Sequence, residues 1–295
     1  MEPPIFEMPD FPGYALLDSG NGEKLERFGT VVLRRPDPQA LWRPQREDKE
    51  WASAHLSFIR ESDRGGRWQA HRDAPREARG KEPSWTVPFG NARFVIRPTP
   101  FKHVGLFPEQ AANWMFLQER GEAMGSGAGL LNLFGYSGAA SVLAAQAGFE
   151  VTHVDASRAS LNWTSENAVA SGLGERALRI VHEDALAFAQ REARRGKKYA
   201  GILLDPPHYG RGPKGEKWQF EELFASLLEA VAELLDERSF LVLSTYAIGY
   251  SPLAFHNLLS ELEGGEVAAG ELALREEPGD RLLPCGFCAR WWRGA

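Results

Sequence analysis

Four short apolar runs in this chain each end in residues that can do chemistry. Gly129-Leu-Leu131 leads into NLFGYSG, residues 132–138. VTHV ends in Asp155, IVHE ends in Asp184, and Ile202-Leu-Leu204 is cut off by Asp205, Pro206, Pro207, His208 and Tyr209. Gly135 and Gly138 allow a tight turn into a helix, whose exposed backbone N–H groups can hold an anionic group. Asp155 lies 20 residues after Gly135 (155 − 135 = 20), where a carboxylate at the next strand end can grip two ribose hydroxyls. Asp184 can accept from an adenine amino group, and the amide after it can donate to the ring.

The fourth end is the most unusual. Proline has no N–H and forces the residue before it into extended geometry. Two in a row make a stiff segment that leaves the Asp205 carboxylate and a backbone carbonyl as acceptors for a substrate amino group. His208 and Tyr209 supply flat rings beside them for stacking a base. Each end also has a plainer explanation. The glycines fit an ordinary strand-to-helix turn. Asp155 or Ser157, and likewise Asp184 and Asp205, fit helix N-caps. Three polar strand ends in sequence order are harder to explain as three independent caps.

Those ends need a scaffold that brings them together. From Gly129 onward the chain alternates: extended over 129–134, helical over 137–148, extended over 151–154, helical over 157–171, extended over 177–181, helical over 184–195, extended over 199–204. An amphipathic helix over 220–235 carries Phe224, Leu227, Leu228, Val231, Leu234 and Leu235 at helical spacing. An apolar strand over 240–244 and a helix over 252–262 follow. Apolar strands alternating with helices predict an α/β fold with a parallel sheet covered on both faces. In such folds ligands bind outside the carboxyl ends of the strands, near the switch in strand order.

Residues 1–98 have a different rhythm. Short extended runs near Tyr14, Thr30, Trp85 and Arg93 are broken by turn residues, and Phe89-Gly-Asn91 marks a hairpin. No helical period is evident before residue 108. The charged stretch from Arg60 to Lys81 reads as an exposed loop or mobile hairpin. The expected division is a small β-rich N-terminal domain over 1–98 and an α/β domain over 99–295, with a helix beginning at Pro108 or Glu109.

Totals narrow the options. The chain has 295 residues, 43% hydrophobic and 25% charged, enough for a full core. Its apolar runs fall well short of the roughly 20 residues a membrane helix needs, and the acidic, proline-rich start is unlike a signal peptide. A soluble, cytoplasmic protein is expected. The net charge of −6 weighs against a large nucleic-acid footprint. Local basic groups remain at Arg191, Arg194, Arg195, Lys197 and Lys198, and at Arg211, Lys214 and Lys217; solvated helix ends or loops explain them as well. Cys285 and Cys288 are spaced C-x-x-C on an expected strand, where their side chains face opposite ways. They read as core residues, and no metal site is expected.

LNLFGYSGAAS, VTHVDAS with Asn167 downstream, HEDALAF and ILLDPPHYGRGP, in that order, resemble a class I S-adenosylmethionine-dependent methyltransferase. More narrowly, they resemble the branch of bacterial large-subunit ribosomal RNA methyltransferases that make 5-methylcytosine or 7-methylguanine. KHVGLFPEQ resembles that branch's G-x-F-x-D-Q segment. The likeness covers residues 99–292; residues 1–98 show no PUA-type RNA-binding pattern. It implies a Rossmann-like class I methyltransferase sheet and S-adenosyl-L-methionine as cofactor. Phe134, Gly135, Ser137 and Gly138 would wrap the methionine end. Asp155 would hold the ribose with Ala156 and Ser157 alongside. Asp184 and Ala185 would bracket the adenine, and Phe107 and Gln110 would close the pocket. Asp205, Pro206, Pro207 and His208 would line the methyl-transfer site, and the implied partner is ribosomal RNA.

One departure from that branch matters. 5-Methylcytosine formation needs a cysteine nucleophile, and the matching stretch LSTYAIGYS, residues 243–251, has none. A base nitrogen is therefore the expected target. A protein or metabolite methyltransferase and a non-catalytic cofactor-binding module are the alternatives. An NAD-dependent oxidoreductase would need G-x-G-x-x-G, which GYSGAA lacks.

Overall fold

The computed structural model describes residues 3–62, 65–174, 176–246 and 249–294. The chain divides into two units. One comprises residues 1–6, 112–272 and 286–295; the other comprises residues 7–111 and 273–285.

An eight-stranded sheet carries the four chemical strand ends. Five strands form its core: Gly129–Leu133, Glu150–Asp155, Leu178–His182, Tyr199–Leu204 and Leu235–Thr245. Called first to fifth in chain order, they lie third–second–first–fourth–fifth across the sheet, and each adjacent pair is parallel. The strand order reverses between the first and fourth strands. Their carboxyl ends therefore flank the crevice where ligands bind in open α/β sheets. The sheet is not wholly parallel as expected. Leu282–Arg293 runs antiparallel to the fifth strand, and Glu266–Arg275 and Ile5–Glu7 lie beyond it.

Residue type explains these elements. Ile202, Leu204, Leu241 and Leu243 are almost wholly buried, as strands covered on both faces require. Helices Ala185–Arg194 and Phe220–Leu234 turn Phe188, Ala189, Leu227, Val231 and Leu234 into the same core as Leu131, Leu133 and Ile202. Each buried leucine or phenylalanine is worth roughly 1.5–3 kcal/mol, so this core fixes the strands whose ends carry the chemistry. The fifth strand extends back to Leu235, five residues before the expected start at Phe240 (240 − 235 = 5), leaving the helix Phe220–Leu234 no connecting loop. Asp236, Glu237 and Arg238 are exposed there, and this polar start hides the strand from an apolar-run reading.

The other unit is β-rich, as expected. Tyr14–Gly20, Glu23–Phe28, Val31–Pro36, Leu56–Ser62 and Gly65–Ala70 form a five-stranded sheet, and Trp85–Phe89 pairs with Ala92–Ile96 in a hairpin. Part of the Arg60–Lys81 stretch thus takes the hairpin form, one of the two expected, with Ile59 opposite Arg67 and Phe58 opposite Trp68. Asp63 and Arg64 of that stretch lie outside the described residues. A short helix, Asp48–Ala52, sits where no helical period was evident; a capping box between Glu47 and Glu50 defines it in place of periodicity.

Polar groups organise the interior of this unit. Arg35 grips both oxygens of Glu26, at 2.5 and 3.1 Å, and Tyr14 Oη donates to the same carboxylate at 2.7 Å. Burial opposes the charge on Glu26, but Arg35 and Lys24 hold its carboxyl at about 2. Asp18 accepts from the backbone N–H groups of Gln45 and Arg46, the Trp51 indole and the Arg281 guanidinium. A carboxylate with this many donors anchors the loop and the 273–285 segment together.

Candidate active site

The end of the first core strand turns on unusual backbone. Phe134 and Tyr136 have φ of 57° and 49°, and Gly138 has φ of 78°. Left-handed geometry is uncommon for residues with a side chain, and it clusters at functional sites. A Cβ at Gly135 would lie 2.3 Å from Cε1 of His153, and one at Gly138 would lie 2.4 Å from Cγ2 of Thr164. Glycine is thus required at both positions, by packing at Gly135 and by packing and φ at Gly138. Ser137 is buried, and its carbonyl accepts from Asn167 Nδ2 at 2.8 Å.

The second strand delivers Asp155 to that turn. Asp155 Oδ2 accepts from Tyr136 N–H at 2.9 Å, and Oδ1 accepts from Ser157 N–H at 2.8 Å. Burial raises its pKa, and these two donors act against the rise. Each oxygen keeps a second lone pair for hydroxyl donors. The cap question resolves in favour of Ser157, whose side chain accepts from Ser160 N–H at the start of helix Arg158–Ala170. The Ala156 carbonyl accepts from His182 Nε2 at 2.9 Å, and Arg158 Nη2 meets His182 Nδ1 at 3.2 Å. This connection ties the second strand end to the third.

Asp184 is the N-cap of helix Ala185–Arg194, its Oδ1 accepting from Ala187 N–H at 2.9 Å. The capping explanation therefore holds for this carboxylate. It does not exclude a ligand contact, because the cap occupies one oxygen. Ala185 is buried in the first helical turn.

The fourth strand end is a braced lip. Asp205, Pro207 and His208 are exposed while Pro206 is buried. The Pro207 carbonyl is already taken: Trp218 Nε1 donates to it at 2.6 Å. Trp218 is 2% exposed, and its ring lies 4.9 Å from that of Phe134. Tyr209–Arg211 pairs with Lys217–Gln219, so Arg211 and Lys217 stand on a small hairpin with Lys214 in its turn. His208 Nε2 lies 2.9 Å from Glu221 Oε1. With that carboxylate accepting, Nε2 carries the ring proton and Nδ1 is the open acceptor. Three exposed tyrosines follow these strand ends in sequence: Tyr209 at 51%, Tyr246 at 46% and Tyr250 at 39%.

Phe134, Gly135, Ser137, Gly138, Asp155, Ala156, Ser157, Asp184 and Ala185 thus lie at the carboxyl ends of three adjacent strands, with Asp205–His208 across the switch point. Phe107 and Gln110 belong to the other unit. There Phe107 packs 5.1 Å from the His103 ring, and its carbonyl accepts from Gln110 N–H. Cys288 Sγ donates to Asn113 Oδ1 at 3.1 Å, whereas Cys285 Sγ faces Leu283 O at 3.4 Å. Burial raises both thiols. Sequence reasoning missed Trp218. Its signal was a tryptophan between a basic residue and a helix start, 13 residues after Asp205 (218 − 205 = 13).

No family model matches the chain. Over 155 residues it is 29% identical to the ribosomal RNA large subunit methyltransferase K/L of Shewanella frigidimarina (strain NCIMB 400). That match spans 52% of this chain but only 21% of the relative. The structure of SMU.776 complexed with SAH shares the fold, with a TM-score of 0.70 at 17% identity over 96% of this chain and 76% of that one. The crystal structure of the SAM-dependent methyltransferase from Agrobacterium tumefaciens is 40% identical, covers 99% of this chain and 94% of that one, and superposes with a TM-score of 0.93. At that identity and coverage, the chain belongs to the S-adenosylmethionine-dependent methyltransferases.

Proposed function

We propose that this enzyme methylates a nitrogen of a base in ribosomal RNA. The observation that carries the proposal is the braced Asp205-Pro206-Pro207-His208 lip, across the switch point from the glycine turn. A 155-residue match to a relative named for ribosomal RNA supports the substrate class.

The residues fit the cofactor. Glycine at 135 and 138, required by the side chains of His153 and Thr164 packed beneath them, holds the tight turn whose backbone would face the ligand. Phe134, Gly135, Ser137 and Gly138 would enclose the methionine end of S-adenosylmethionine. Asp155, with one lone pair per oxygen left over, would hold the ribose, with Ala156 and Ser157 alongside. Asp184 and Ala185 would flank the adenine. When bound, the cofactor supplies an electrophilic methyl group on a sulfonium.

The chain's own residues then have three tasks. Asp205 accepts hydrogen bonds from a substrate amino group and orients its nitrogen. The prolines hold that carboxylate in one place, so positioning supplies much of the acceleration. His208 stacks on the base, and its Nδ1 can take the proton the nitrogen gives up while Glu221 steadies Nε2–H. Tyr209 extends the stacking surface.

Carbon methylation of cytosine fits poorly. Within 243–251 no cysteine occurs, although Ala247 and Ile248 lie outside the described residues. Cys285 and Cys288 are buried with raised pKa values, which disfavours the thiolate a nucleophile needs. The net charge of −6 favours a second reading, a protein or metabolite substrate. Transfer of radiolabelled methyl from S-adenosylmethionine to unmodified ribosomal RNA, transfer RNA, protein and metabolite pools decides between them. Label in ribosomal RNA alone supports the proposal, and label only in protein or metabolites overturns it.

A further inference from the structure

Beneath the glycine turn lies a histidine that the proposed chemistry does not use. His153 has no exposed surface. Its Nδ1 lies 2.9 Å from Ser141 Oγ, and its Nε2 lies 3.1 Å from Thr164 Oγ1. Ser141 Oγ accepts from Asn132 Nδ2 at 2.9 Å, and Thr164 Oγ1 lies 2.9 Å from the Tyr136 carbonyl and 3.1 Å from that of Ser160. Burial depresses the His153 pKa to about 4, so near neutral pH the ring has one donor and one acceptor.

One proton arrangement links all of these groups. Asn132 donates to Ser141, and the Ser141 hydroxyl donates to His153 Nδ1. The proton of the ring is then on Nε2, which donates to Thr164. That leaves the Thr164 hydroxyl free to donate to the Tyr136 carbonyl. The opposite tautomer would turn the Thr164 proton back towards the ring and withdraw it from Tyr136. Each hydroxyl has a single proton, so the direction is set from Asn132 through His153 to Thr164, whose proton has the Tyr136 carbonyl at 2.9 Å and that of Ser160 at 3.1 Å.

Tyr136 is where this chain ends and where Asp155 begins. Its carbonyl faces Thr164, and its N–H donates to Asp155 Oδ2. His153 and Asp155 are two residues apart on one strand, so both side chains leave the same face. They hold opposite ends of one peptide-bearing residue, and that residue sits at φ 49°, which the backbone does not favour by itself.

We infer that the Asn132–Ser141–His153–Thr164 chain is a positioning device: it fixes Tyr136, and through Tyr136 the orientation of the Asp155 carboxylate that receives the cofactor ribose. Thr164 and His153 are its positioning residues. The inference rests on the reading of Asp155 given above. Apolar side chains would fill the space beneath Gly135 without a need for polar partners. A series of polar groups directed to one strained carbonyl does something packing alone does not.

The test is S-adenosylmethionine affinity, measured by calorimetry, in Thr164→Val and Thr164→Ser. Valine keeps the shape and removes the donor; serine keeps the donor. Thr164→Val should raise Kd about tenfold, equivalent to about 1.4 kcal/mol, while kcat at saturating cofactor changes less than about threefold. Thr164→Ser should return Kd to within about threefold of the parent. Ser141→Ala cuts the chain two residues earlier, before His153, and should weaken binding in the same direction if the valine variant does not fold. A lowered Tm with unchanged Kd in these variants would make the network structural only and overturn the inference. Asp155→Ala is the control: if it too leaves Kd unchanged, the ribose reading fails; if it weakens binding while Thr164→Val does not, only the positioning inference fails.

Discussion

The indole N–H of Trp218 donates to the carbonyl of Pro207 at 2.6 Å. A proline pair offers carbonyls that no local helix absorbs, and here one of the two is fixed by a buried ring that also packs on Phe134. The rigidity of the lip therefore comes from two sources, the fixed φ of the prolines and this hydrogen bond. Trp218→Phe keeps most of the packing and loses the donor. It should cost about 1–2 kcal/mol of stability and lower kcat, with little change in the affinity for S-adenosylmethionine. Denaturant unfolding and single-turnover methyl transfer read the two effects separately. An unchanged kcat would mean that the Pro207 carbonyl does not set the geometry of transfer.

Asp155 and Asp205 stand on strand ends on either side of the first strand's turn, and their proposed roles predict opposite signatures. Asp155→Ala should raise the Kd for S-adenosylmethionine at least tenfold, since a carboxylate holding two hydroxyls contributes charge-assisted hydrogen bonds of about 1.5–3 kcal/mol. Asp205→Ala should leave that Kd nearly unaltered while methyl transfer falls roughly a hundredfold or more, the scale of losing a group that positions the nucleophile. Calorimetry on both variants beside a transfer assay reads the contrast. Equal transfer activity in Asp205→Ala would remove this carboxylate from the mechanism.

Much of this was legible in the sequence because the relevant signals are local. The apolar run Tyr199–Leu204 before Asp205 and the shorter extended run over 151–154 before Asp155 announce strands and their polar ends together. The Ser157 cap and the amphipathic Phe220–Leu234 helix also follow from nearby residues. What escaped depends on distant partners. Trp218 gains its role from Phe134, 84 residues earlier (218 − 134 = 84). His153 reads as one polar residue within an apolar strand until Asn132, Ser141 and Thr164 are brought around it. The strand around Cys285 and Cys288 was expected, but its antiparallel pairing with the fifth strand was not, because nothing local in its residues fixes its direction. Arg290 and Arg293 break its apolar pattern, and their guanidinium groups pack on the aromatic rings of Phe116 and Trp291, cation–π contacts that sequence spacing does not reveal.

Gly135 tests the packing beneath the turn. Its φ is not in the left-handed region, so glycine is demanded there by space alone: the ring of His153 occupies the place of a Cβ. Gly135→Ala should destabilise the fold by about 1–3 kcal/mol, the usual cost of overpacking a tight interior, and should weaken S-adenosylmethionine binding by displacing the turn. The double variant Gly135→Ala, His153→Ala should recover part of the lost stability relative to the sum of the single changes. Strict additivity in denaturant unfolding would show that the two residues do not compete for this volume.

The same histidine predicts a pH dependence of stability. Its folded pKa is about 4, below the roughly 6.5 of an unfolded histidine. A depressed folded pKa contributes stability that is fully present above the unfolded value and is lost as pH falls through the folded one. His153 should therefore contribute fully at pH 7 and lose on the order of 2–3 kcal/mol by about pH 4.5. Other groups titrate in the same pH region. His103, depressed by burial to about 3, and His55, also depressed by burial, act in the same direction, whereas Asp155 and Glu109, raised by burial, stabilise the folded state relative to the unfolded one as pH falls. The informative quantity is thus the difference between the parent and His153→Gln, measured by urea unfolding at pH 7 and pH 4.5. The glutamine variant should be less stable at pH 7 and should lose less on acidification, by about 2 kcal/mol. Parallel losses in the two proteins would mean that His153 is not held neutral by its burial among Asn132, Ser141 and Thr164.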